Sequence, residues 1–193
     1  MNQQDLFLMS DAALRDVIDM IDHDQLSQPA PAEWSRKPNP TLRDIIAYHA
    51  YDEAWVADVL AGRTPEQVGT RHDGDLLGDD PIGSYDDIND AATEAVSRDL
   101  DYDRIVHLSY GDFSLGDYLV HTSTYRAFQA WSIAHSLGLD YSLPEPLVDG
   151  LWQILEPQID DFRAMGVFPA EVPVPAGSDR EVQLLGKVGY WKP

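Results

Sequence analysis

Two ionisable residues, His49 and Glu53, stand four apart in a stretch that is otherwise rich in apolar residues. At about 100° per residue, Leu42, Ile46, His49, Glu53, Val56 and Leu60 share one helical stripe, flanked by Ile45, Asp52 and Val59. An imidazole and a carboxylate on an apolar face are costly unless they are paired or bind a metal. A second stretch has the same character. Leu115, Leu119, Thr122, Arg126, Gln129, Ile133 and Leu137 fall on one face, with Tyr118 and Tyr125 beside it. If the two helices face each other, His49 and Glu53 meet Tyr125, Arg126 and Gln129 in the middle of a bundle, where bundles build metal and ligand sites.

This constellation can do chemistry in more than one way. In a structural network Glu53 pairs with Arg126, and Tyr125 and Gln129 complete the hydrogen bonds. In a small-molecule pocket His49 is base or ligand, Arg126 holds an anionic substrate, and Tyr125 and Gln129 orient it. A divalent metal held by His49, Glu53 and Gln129 is the third reading, and the positive charge of Arg126 works against it. His121 is a reserve ligand one turn before Tyr125. His135, His23 and His72 read as solvated, and His107 falls in a loop before Ser114.

Other chemistries lack their residues. The chain has no cysteine, which removes disulfides, thiolate metal sites and cysteine nucleophiles. It has no His-Glu-x-x-His pattern, no glycine-rich phosphate loop and no nucleophile elbow. From His72 to Asp103 there are eleven acids and one base, Arg98, without the spacing of an EF-hand loop. That run reads as a solvated acidic loop.

The elements that must position these residues are legible from their ends. Five Ser or Thr residues that each open an apolar-periodic run are followed three positions later by an acid: Thr41 and Asp44, Ser84 and Asp87, Ser114 and Asp117, Ser142 and Glu145, Ser178 and Glu181. Each reads as a helix start. Gly62, Gly138 and Gly166 read as left-handed stops. Helices are therefore expected near 4–24, 42–61, 85–99, 115–137, 144–165 and 179–187. Pro157 should kink the fifth. Residues 29–40, with four prolines, should cross the bundle as an extended strap, and residues 63–83 should form the longest loop. Trp34, Trp55, Trp131, Trp152 and Trp191 read as core and inter-helix packing.

The whole chain bounds these expectations. At 193 residues, 44% hydrophobic and 24% charged, it reads as one globular domain over 1–193, with a core bundle at about 4–138 and a C-terminal helix and tail at about 142–193. The formal net charge is −21, so nucleic acid and anionic lipid are not expected partners. The start has no basic region of the secretory kind, no apolar run approaches a membrane span, and a cytoplasmic location is expected.

Several short motifs then resemble a known family. Trp34, the run Thr41-Leu42-Arg43-Asp44-Ile45-Ile46-Ala47, Trp55 and Leu60-Ala61-Gly62 resemble the second helix of the mycothiol-dependent maleylpyruvate isomerase N-terminal domain, a metal-binding domain of the DinB-like superfamily. Trp131-Ser132-Ile133-Ala134 with Leu137-Gly138 resembles its fourth helix. Leu143-Pro144, Met165-Gly166-Val167-Phe168 and Val172-Pro173-Val174-Pro175 are similar to the end of many actinobacterial members. The likeness covers about residues 5–190.

The resemblance implies an all-α fold: an up-and-down DinB-like four-helix bundle with an extra C-terminal helix and a short tail. It also implies homodimers, and a zinc or nickel ion held by a His on the second helix and a Glu/His pair on the fourth. Matched by motif, the three ligand positions fall on Tyr48, Tyr125 and Gln129, and His49 stands one residue late. Such a chain is expected to be a small-molecule-binding or structural module with degenerate ligand positions. The alternative is a metal-dependent, mycothiol-linked isomerase or transferase acting on a small anionic substrate.

Overall fold

The computed structural model describes residues 1–192. The chain is mostly helical. Its helices are α1 (Gln3–Asp19), α2 (Leu42–Leu60), α3 (Pro65–Val68), α4 (Pro81–Val96), α5 (Leu115–Leu137), α6 (Glu145–Leu155), α7 (Ile159–Ala164) and α8 (Arg180–Val188). One antiparallel hairpin departs from an all-helical reading: β1 (Ile105–Leu108) and β2 (Gly111–Ser114), with Val106 opposite Phe113 and His107 opposite Asp112. The residues before Ser114 read as loop because the strands are only four residues long and lack clean apolar alternation.

The described residues divide into two compact units, residues 15–118 and residues 1–14 with 119–192. In the first, α2 packs on α4. α2 buries Leu42, Ile45, Ile46, Ala50, Val56 and Val59, and α4 buries Tyr85, Ala92 and Val96. Thr41 starts α2 as expected: its hydroxyl accepts from the Asp44 amide, and the Asp44 carboxylate accepts from the Thr41 amide at 2.8 Å. α4 starts three residues before Ser84, at Pro81. Asp80 caps it and Pro81 takes the first turn, where a missing amide costs nothing.

Residues 29–40 do not form an extended strap. The Ala30 amide donates to Pro40 O at 2.9 Å and the Leu42 amide to Gln28 O at 2.9 Å, so this segment leaves and returns to one place as a closed loop. The long loop after Gly62 is interrupted by α3, with Thr64 at its cap and Pro65 in its first turn.

In the second unit the buried residues include Leu6, Phe7, Leu14, Leu119, Phe128, Leu147, Leu151, Leu155, Leu184, Leu185 and Val188. α6 packs on α8. Ser114 caps α5, accepting from the Asp117 amide at 3.0 Å. Pro157 does more than kink a helix: α6 ends at Leu155 and α7 begins at Ile159. Proline at 157 cannot donate, and its ring crowds the turn before it. Ser142 is not the cap of α6, since Pro144 stands there; nor does Ser178 cap α8, since the Asp179 side chain accepts from Val182 N at 2.8 Å. Of the tryptophans only Trp131 is buried, and the other four are half-buried.

Candidate functional site

α2 places His49 and Glu53 one turn apart on its buried face, each 1% exposed. The capping box at Thr41 sets this register, since the buried residues Leu42, Ile45, Ile46, His49, Ala50, Glu53 and Val56 follow from that start in helical order. Tyr48 is 53% exposed. The position matched to the family's histidine therefore faces solvent, while the histidine one residue later faces the interior.

Tyr125, Arg126 and Gln129 belong to the other unit, on α5. Tyr125 is half-buried. Arg126 is 1% exposed and Gln129 6%. The Gln129 amide nitrogen is sealed from solvent with no hydrogen-bond partner among the described residues. In its own unit the Arg126 guanidinium meets Asp11 and Phe7 of α1. Its Nη1 lies 3.5 Å from Asp11 Oδ1, and its central carbon sits 4.3 Å from the centre of the Phe7 ring. A guanidinium over an aromatic face gains from the ring quadrupole, and more so when desolvated.

Asp11 escaped the sequence reading. Its signal was available: Phe7, Asp11, Leu14 and Ile18 stand on one stripe of α1, so the helical-wheel argument that exposes His49 and Glu53 also exposes Asp11.

A second polar centre lies at the end of α2. The Asp58 carboxylate is nearly buried and takes three cationic or polar partners from the loop that follows. Arg63 and Arg71 both reach Oδ1, the latter at 2.7 Å, and His72 Nε2 lies 2.8 Å from Oδ2. Burial alone would raise this carboxyl's pKa. The His72 hydrogen bond and the charges of Arg71 and Arg63 outweigh it and hold the carboxyl below its ordinary range. His72 is thus a structural clasp and not a solvated side chain, which corrects the expectation. The acidic loop is tied down as well: Arg43 Nη2 reaches Asp75 at 2.9 Å and Gly78 O at 2.9 Å.

Of the remaining histidines, His121 is half-buried on α5, His135 is exposed and stacks on Trp131 at 4.7 Å, and His23 is exposed. His107 is on β1, not in a loop, with Nδ1 2.8 Å from Asp112 Oδ1. Among the described residues no group of three or more His, Asp or Glu side chains is placed to hold a metal ion. His49 and Glu53 supply two donors of the type zinc or nickel takes, and Gln129 only an amide, so the residues present do not fit the metal centre that the resemblance implies. No protein-family model, characterised protein or solved structure matches this chain.

Proposed function

We propose that the chain is a DinB-like four-helix-bundle module without a working metal centre, in which the buried polar residues of α2 and α5 hold the fold instead of performing a reaction. The observation that carries this reading is Arg126. A substrate-binding arginine must offer its donors to a ligand, whereas this guanidinium is 1% exposed, lies against Asp11 and stacks on Phe7. The exposed Tyr48, where the resembling family has its histidine, supports the same reading.

The alternative, a mycothiol-linked isomerase or transferase acting on a small anion, draws on one observation: His49 and Glu53 are both buried and one turn apart on α2. Metal content separates the two. Tag-free protein is loaded with zinc or nickel, dialysed and assayed by inductively coupled plasma mass spectrometry, and titrated calorimetrically with small carboxylates and with mycothiol. The module reading predicts no stoichiometric metal and no saturable heat. Near-stoichiometric metal that is lost in His49→Ala, or carboxylate binding that is lost in Arg126→Lys, overturns it.

A further inference from the structure

The loop that returns over the end of α2 gathers positive charge on one carboxylate. Arg63 and Arg71 both donate through Nη1 to the same oxygen, Asp58 Oδ1, the latter at 2.7 Å, and His72 Nε2 lies 2.8 Å from the other oxygen. Donors that share one acceptor stand within about 6 Å of each other, so two like charges are held side by side. The local backbone fixes them there. The Arg63 amide donates to Asp58 O at 3.1 Å. The Asp73 amide donates to Thr70 O at 3.2 Å, which puts Arg71 and His72 in the middle of a turn. The His72 ring also meets Trp55, one turn before Asp58 on α2, at 5.6 Å.

The clasp uses few of the donors these arginines carry. A guanidinium has five, in a planar fork. Arg63 and Arg71 each meet Asp58 through Nη1, and neither side chain makes another hydrogen bond with the described residues. Their side chains are 44% and 49% exposed, while that of Asp58 is 6% exposed. Two permanent positive charges thus meet one negative charge. Elsewhere the balance runs the other way, as where Arg15 meets both Asp86 and Asp90. Closing the loop on Asp58 needs only the inner Nη1 of each arginine.

We propose that the outer edges of Arg63 and Arg71 together bind a phosphate dianion, free or at the end of a small ester. A tetrahedral group with three outer oxygens accepts from two guanidinium forks at once, a geometry that arginine serves better than lysine. Asp58 pre-organises the pair, because its carboxylate meets the repulsion between the two cations before any ligand arrives. A carboxylate ligand brings one charge and two oxygens and gains less. The net charge of −21 opposes every anion at long range, but that field is screened beyond about 8 Å at physiological salt, and the two guanidiniums act at contact. Glu66 and Asp73, the other acids nearest along the chain, are exposed to solvent. The site uses none of His49, Glu53 and Arg126, so it stands or falls independently of the reading of those residues.

The test is a titration of the ¹⁵N-labelled whole chain with inorganic phosphate at constant physiological ionic strength and about pH 8, where phosphate is mainly the dianion, followed by NMR. Saturable shifts are expected at residues 58–72, at the Arg63 and Arg71 Nε–H signals and at the Trp55 indole N–H, and acetate at the same concentration should not saturate. Arg63→Lys and Arg71→Lys keep the charge and lose the fork, and each should weaken binding at least about fivefold. Lys37→Gln removes a charge outright, but its partner Asp44 is fourteen residues up α2 from Asp58, about 21 Å, and it should change binding less than about twofold. Phenyl phosphate separates the two sources: equal or weaker affinity assigns the free ion, and tighter binding an ester. Shifts that do not saturate, saturable shifts that miss residues 58–72, equal weakening by Lys37→Gln and the arginine variants, or acetate binding as tightly as phosphate overturns the proposal. The Nε–H signals of the unmutated chain carry the test even where a lysine variant fails to fold. Metal retention or mycothiol binding in the preceding experiment leaves this result untouched.

Discussion

At the scale of single residues, Asp58 shows how a buried carboxylate is held by cations from a neighbouring loop. Asp58 has a folded pKa below its unfolded one, so its stabilisation is fully present above about pH 4 and is lost as the pH falls through the folded value. Asp58→Asn should cost about 1–3 kcal/mol at neutral pH, and urea titrations should show that difference shrinking as the pH falls through the carboxyl's lowered folded pKa. A difference independent of pH would mean that the carboxylate's charge is not what its partners recognise. Asp11 is the counterpart in the other unit. What the sequence revealed was the presence of ionisable groups on apolar stripes: His49, Glu53 and Arg126 are each 1% exposed, as the wheel argument requires. What it did not reveal was their partners. Asp11 is more than a hundred residues from Arg126, and spacing within a helix says nothing about which other helix it meets. Asp58 was hidden for the opposite reason: it is off the apolar stripe of α2 and becomes buried only because Arg63, Arg71 and His72 fold back over it.

At the scale of elements, helix ends were more legible by their stops than by their starts. Gly62, Gly138 and Gly166 all take positive φ, at 73°, 67° and 78°, because a left-handed stop selects glycine on steric grounds alone. The starts are a competition. Thr41 and Ser114 win theirs, but Asp80, Pro144 and Asp179 take the cap from neighbouring serines, and nothing in a Ser-x-x-acid spacing records a better rival next door. The tail adds a packing constraint that composition does not express. Gly186 in the last helix and Gly189 just past its end lie against residues 169–174. A Cβ at Gly189 would meet Ala170 O at 2.5 Å, whereas one at Gly62 would meet nothing within 4 Å. Gly62→Ala should therefore cost only the left-handed backbone term of about 1–2 kcal/mol, and Gly189→Ala distinctly more. Equal melting temperatures for the two variants would show that the tail yields without resistance.

At the scale of the whole molecule, charge is the dominant property. Thirty-four acids oppose thirteen bases. Ion pairs form, such as Arg15 with Asp86 at 3.0 Å and Lys187 with Glu171 at 2.8 Å, but the bases are too few to balance the acids. Self-repulsion of that size destabilises the compact state and is screened by salt. The melting temperature should rise between low salt and about 0.5 M sodium chloride, and a fall would mean that ion pairs outweigh the repulsion. No helix among the described residues is long and apolar enough to cross a membrane, as the absence of a long apolar run leads one to expect. The mostly helical class was legible because apolar periodicity and glycine stops recur along the chain; the hairpin was not, because four-residue strands carry too little pattern to outvote their surroundings.

The claim on which the functional reading depends is that Arg126 is a structural cation with Asp11 as its partner. The direct measurement is a double-mutant cycle in urea with Asp11→Leu, Arg126→Met and the double variant. Each single change should destabilise by about 3–5 kcal/mol, because it removes one partner of a buried ion pair, while the double variant should recover most of that loss. Single changes near zero, or losses that simply add, would show that the two charges do not depend on each other and would return Arg126 to the role of a ligand-binding residue.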